Sequence, residues 1–261
     1  MGFDKKTKTL LAFILISLIG VFFVDPIPQP REYHDFVDQN TFLGVPNAWN
    51  VLSNIPFIII GAIGLVALIR TPPAALVGVY KTISKMFFVG LILTGFGSGY
   101  YHLSPSNPTL VWDRLPMTLS FMAFFSFVLA MHISERVGRT LFWPLIAVGV
   151  CSVFYWAYTE SINAGDLRFY GVVQFLPMVL IPAVVVMFPK AVYKAVYIWG
   201  VIGVYVLAKV CEHFDGQIYS LLGVSGHSLK HIAAALSGVA FYYALKSIST
   251  EQGGAADAEP N

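Results

Sequence analysis

The sequence predicts an all-α membrane protein: a seven-transmembrane helix bundle with one additional N-terminal transmembrane helix. Two observations carry this. Of 261 residues, 57% are hydrophobic and only 11% are charged, against the charged fraction of about 25% usual in soluble domains, and mean hydropathy is +0.71. The apolar residues also gather into eight long runs, near residues 9–24, 51–70, 83–101, 114–132, 141–158, 169–188, 195–211 and 228–246. Most approach the roughly 20 residues that a spanning helix needs. A membrane barrel would show ~10-residue stretches of alternating polarity instead, and these runs are apolar on all sides.

The first run is short and has a basic start, as a signal peptide does. It is followed by Phe23-Val24-Asp25-Pro26-Ile27-Pro28, which lacks the small-x-small pattern of a cleavage site. Residues 1–30 therefore read as a retained anchor helix and linker. The other seven runs follow Asn50, within one domain over residues 31–248. His102 ends the third run. Asp113 opens the fourth after a loop carrying Pro105 and Pro108, and His227 opens the eighth after a glycine-rich stretch. The tail, 249–261, is mostly Gly, Ala and acidic residues, too polar to pack, and is expected to be disordered and without function.

Orientation follows from the basic residues, which are enriched in cytoplasmic loops. Eight helices put both termini on one side. If that side is the cytoplasm, it holds Lys5, Lys6, Lys8, Arg70, Lys81, Lys85, Arg136, Arg139, Lys190, Lys194 and Lys246, eleven of the sixteen basic residues. Arg31, Arg114, Arg168, Lys209 and Lys230 remain for the exterior face. A formal charge of +2 argues against a nucleic-acid partner, and two cysteines, Cys151 and Cys211, indicate no disulfide framework.

Five polar residues stand out in this apolar chain: Ser98 and His102 four apart, Asp113 eleven further on, and His227 and His231 four apart. Residues four apart share one helix face, and the predicted topology brings all three places to the exterior membrane face. Three neutral imidazoles plus one water suit a catalytic zinc site, where the water's pKa falls to about 7, and Asp113 is placed to act as base. Each fragment alone has a plainer explanation. A single interfacial histidine is more often a hydrogen-bonded anchor, Ser98 within Gly95-Phe96-Gly97-Ser98-Gly99 suits close helix packing, and Asp113 with Arg114 could be an ion pair.

Jointly, these residues resemble the alkaline ceramidase family, within the superfamily shared with progestin and adiponectin receptors. The resemblance rests on Ser98 to His102, on Asp113-Arg114-Leu115-Pro116-Met117, on His227-Ser228-Leu229-Lys230-His231, and on the loop Asp35-Phe36-Val37-Asp38-Gln39-Asn40 leading to Asn47-Ala48-Trp49-Asn50-Val51-Leu52-Ser53-Asn54. It covers roughly residues 34–246. It implies a zinc-dependent hydrolase that cleaves the amide of ceramide-like lipids entering from the bilayer. Zinc would sit on His102, His227 and His231, with Asp113 shuttling the proton and Ser98 stabilising the oxyanion. It also implies a calcium ion on the side chains of Asp35, Asp38, Asn40 and Asn47 and the carbonyl of Phe36. Asp38 is shorter than a Glu and Asn47 stands where the family commonly has Glu, while Arg114 replaces a frequent acid. The main rival is a receptor-like or non-hydrolytic zinc-binding lipid-binding protein. A transporter is disfavoured, because no inverted repeat or paired broken helices are visible. The stretches Phe121 to Phe127 and Phe169 to Val186 suit either an acyl-chain pocket or a lipid-facing surface.

Overall fold

The computed structural model describes residues 4–73, 76–191 and 193–248, so the polar tail lies outside the described residues. Among those described, the structure is helical apart from one isolated bridge between Phe42 and Val45. The helices are α1 (Lys5–Gly20), α2 (Ala48–Leu52), α3 (Ile55–Arg70), α4 (Gly78–Leu103), α5 (Asn107–His132), α6 (Glu135–Ser161), α7 (Arg168–Met187), α8 (Val196–His213), α9 (Asp215–Leu222) and α10 (Gly226–Lys246). Among the described residues, seven spans are long and apolar enough to cross a membrane. α10 matches them in length at 21 residues but carries His227, Ser228, Lys230 and His231 near its start. The chain is a multi-pass membrane protein.

α5 is the central helix: 78% of its apolar window is inside the protein, against 6% for α1. α4, α6 and α7 surround α5, and α10 packs on α8 and α3. α1 is an appendage whose Lys6 Nζ donates to the Met187 carbonyl at the end of α7.

Two helix boundaries differ from the expected runs. The run beginning near 51 is broken at Ser53 and Asn54 into α2 and α3, because Pro56 lacks the N–H that would bond Leu52 and its ring crowds that carbonyl. The break turns Ser53 inward. α5 begins at Asn107, six residues before Asp113, with the Ser106 side chain accepting from Thr109 N. Pro108 stands in the first turn, where a proline's missing N–H is harmless, so Asp113 lies on the helix rather than at its entrance. α9 was not legible as an apolar run. Gly223 ends it at φ +69, the left-handed region that favours glycine.

α4 and α5 approach most closely at Gly97. Pro116 removes the N–H that would bond the Trp112 carbonyl, and a Cβ on Gly97 would lie 1.9 Å from that oxygen. Glycine is thus required beside Ser98, which is left facing inward. Gly97→Ala should push the two helices apart and destabilise the protein by about 1–3 kcal/mol or more, measured as a fall in melting temperature in detergent.

The turn between α6 and α7 is locked by Asp166. It accepts from Arg168 Nη2 at 2.8 Å and from the Tyr155 hydroxyl at 3.0 Å. The hydrogen bonds from Arg168 hold its carboxyl down at about 2. Its stabilising contribution is therefore present above the ordinary carboxylate range and is lost only as pH falls toward about 2.

Candidate metal centre

Three histidines from two helices meet at one end of the bundle. Ring nitrogens of His102 on α4 and of His227 and His231 on α10 lie within 4.8 Å of one another, and all three side chains are buried. Nε2 of His102 and Nε2 of His227 are 3.3 Å apart. Two nitrogens bound at a tetrahedral zinc–nitrogen length stand about 3.3 Å apart, so the spacing fits. His102 Nδ1 is buried without a partner among the described residues.

The surrounding residues set the ring orientations. His231 Nδ1 is 2.8 Å from Ser53 Oγ, and that hydroxyl also donates to the Asn50 carbonyl at 3.2 Å. With its proton committed to Asn50, Ser53 accepts from Nδ1–H, leaving the Nε2 lone pair of His231 for a metal. Asp215 Oδ1 accepts from the His227 backbone N–H at 2.9 Å, anchoring the first turn of α10. Ser225 caps that turn by accepting from Ser228 N at 2.9 Å. Gly226 is needed there, since a Cβ would come within 2.2 Å of the Cys211 carbonyl.

Asp113 and Ser98 line the same cavity as His231, and the Ser98 hydroxyl stands beside the Asp113 carboxylate. The cavity holds about 330 Å³, within the range of ligand sites. Its walls are mostly apolar, with Phe57, Phe87, Met117, Phe121, Phe124 and Phe175 among them. The two apolar stretches that suited either pocket or lipid divide their duties: Phe121, Phe124, Tyr170 and Phe175 line the cavity, whereas Val179 and Val186 are exposed on the bundle's outside. Arg114 turns away from Asp113. Its Nη2 donates to Gln29 Oε1 at 2.7 Å, and its guanidinium lies 4.2 Å from the centroid of Trp156 and 4.7 Å from that of Tyr170.

The loop before α2 closes over the histidines. The Phe36 ring packs against His102 and His227 at centroid distances of 4.7 and 4.4 Å. Asp38 is buried, its Oδ1 accepting from Asn40 N and Asn40 Nδ2, while its Oδ2 has no partner among the described residues. A buried, unpaired carboxylate oxygen is costly, and a cation would relieve it. Asn47, at φ +48, donates from Nδ2 to the His102 carbonyl at 2.9 Å, which leaves its Oδ1 free to accept. The Phe36 carbonyl accepts from Gln39 Nε2 at 3.1 Å, and Asp35 is exposed. Asn50 ties this loop to α10: its Nδ2 donates to the Asp38 carbonyl, and its Oδ1 accepts from Ser225 Oγ and Ser228 Oγ.

Ser53, Asn50 and Asp215 are site residues that spacing did not reveal. So is a charged group on the cavity wall, where Glu212 accepts from Lys209 at 2.7 Å and from Lys230 at 2.6 Å. Its sequence signal was present, because ionisable residues at the end of one apolar run and the start of the next are functional candidates by default.

Comparison with known proteins gives a family. Neither curated proteins nor solved structures give a match. A family model described as Ceramidase matches residues 43–258, a stretch running from the loop before α2 past the end of α10. The chain belongs to the Ceramidase family.

Proposed function

We propose that this protein is a zinc-dependent hydrolase, working within the membrane, that cleaves the amide of ceramide-like lipids to a sphingoid base and a free fatty acid. The observation that supports this above others is a cluster of three buried imidazoles, one of which, His231, lines an apolar cavity together with Asp113 and Ser98. His102, His227 and His231 would hold zinc, which would supply water acidification and Lewis acidity. Asp113 takes the proton of the attacking water and returns it to the leaving amine nitrogen. Ser98, one turn before His102 on α4, donates to the amide oxygen as it gains negative charge. The apolar walls hold the lipid chains and keep bulk water from them. Residues 1–30 act as an anchor and 31–248 as the catalytic domain. Both termini face the cytoplasm and the metal centre lies near the exterior face, as the distribution of Lys and Arg favours.

The test is to measure zinc in the purified protein and to follow fatty-acid release from ceramides of several chain lengths. One zinc per chain and release that chelation abolishes and added zinc restores are expected. A zinc-loaded protein that releases no fatty acid from any of them would leave the receptor-like reading in its place.

We further propose that calcium binds the side chains of Asp35, Asp38, Asn40 and Asn47 and the Phe36 carbonyl, modulating activity through the loop that covers the histidines. The unpartnered Asp38 Oδ2 supports this, and calcium accepts such mixtures of oxygens. Calcium should raise the melting temperature of the wild type and leave Asp38→Asn unmoved; equal responses of the two would remove the site.

A further inference from the structure

We infer that the lipid taken by this cavity carries an anionic group, a phosphate, sulfonate or carboxylate, close to the bond that is cut. This rests on the hydrolase reading and names its substrate class more narrowly.

The wall of the cavity's polar end holds three cations, Arg114, Lys209 and Lys230, against two carboxylates, Asp113 and Glu212. Both oxygens of Glu212 are taken, one by each lysine. The Arg114 charge is spread over the faces of Trp156, Tyr170 and Tyr33, with Gln29 accepting from its Nη2. Arg114 Nη1 is buried without a hydrogen-bond acceptor among the described residues, and Lys230 also has donors to spare. An ammonium has three donors, and among the described residues Glu212 is its hydrogen-bond acceptor. Its side chain is only 18% exposed, and it lines the cavity.

An excess positive charge in an apolar cavity is expensive unless something neutralises it. A divalent ion on the neighbouring histidines adds to the excess. A neutral lipid leaves that excess standing, whereas an anionic lipid cancels it with a charge-assisted hydrogen bond. Lys230 immediately precedes His231 on α10, so the anion it binds lies next to the metal centre. The geometry thus sets the anionic group and the scissile amide side by side, with the chains running along the apolar wall.

The test uses the zinc-loaded full chain and two lipids with the same chains, a ceramide and its 1-phosphate. Melting temperature with dodecyl phosphate, dodecyl sulfonate or dodecanol gives a second readout that needs no turnover. The expected result is a kcat/KM for the phosphate at least about tenfold above that for the neutral lipid, carried mainly by KM, the scale of one charge-assisted hydrogen bond. Both anionic amphiphiles should raise the melting temperature more than the alcohol does. Lys230→Met should lower the preference and the anion-specific shift together, and Lys209→Met serves if that variant does not fold. Equal kcat/KM for the two lipids with equal shifts for alcohol and anions would overturn the inference, as would an anion-specific shift that survives in both variants. An anion-specific shift lost in the variants, with neither lipid cleaved, would keep the anion site and overturn the hydrolase reading instead.

Discussion

Replacing His231 with alanine is expected to strip the protein of zinc and reduce fatty-acid release to background. Three imidazoles are the proposed ligand set, and His231 has its far nitrogen held by Ser53 Oγ at 2.8 Å. Removing it leaves two ligands on a site that needs three. The loss of affinity should exceed the 10- to 100-fold typical of an outer partner, so Ser53→Ala provides the scale: weaker zinc binding, with activity recovered as zinc is added. Elemental analysis of both purified variants, alongside fatty-acid release across a zinc titration, checks this. A His231→Ala protein that retains one zinc per chain and full activity would place the metal elsewhere.

The second large effect is at Asp113. Asp113→Asn preserves shape and should preserve zinc, yet it removes the group proposed to carry the proton from water to amine. A loss in kcat of about 10²- to 10⁴-fold is expected, with KM little changed, since the lost interaction belongs to the transition state. Ser98→Ala should cost about 10²-fold, the scale of one oxyanion donor. The order of the two, with zinc content equal in both, separates proton transfer from charge stabilisation. If Asp113→Asn keeps wild-type kcat at full zinc occupancy, Asp113 is not the base.

Most of the architecture could be read along the chain because the lipid interior imposes it: a segment that crosses must be long, apolar and helical. The histidines were legible for a related reason, since HxxxH on one helix face is a local pattern. What escaped was non-local. Ser53 meets His231 across 178 residues, and Asn50 meets Ser228 across the same separation; no spacing rule reaches that far. Gly97 was visible as a small residue near Ser98, but which of the two makes the close approach depended on Pro116 freeing the Trp112 carbonyl on the next helix. Lys209 and Lys230 entered the sequence reading only as charges on the exterior side. Lys209 and Glu212 are an i,i+3 pair on α8, but the meeting of Lys230 with Glu212 is a matter of how α8 packs on α10. α9 was missed because eight residues are too few to stand out as a membrane span.

The Phe36 ring, wedged against His102 and His227, makes the loop and the metal ligands one thermodynamic unit. Whatever orders the loop also confines those imidazoles, and whatever binds the imidazoles confines the loop. With zinc on the imidazoles and calcium on the loop, as proposed, linkage is reciprocal: the factor by which one ion raises affinity for the other must equal the factor in the opposite direction. Titrating each ion in the presence and absence of the other therefore closes a cycle, and Phe36→Ala should shrink both factors equally, leaving two sites that no longer sense each other.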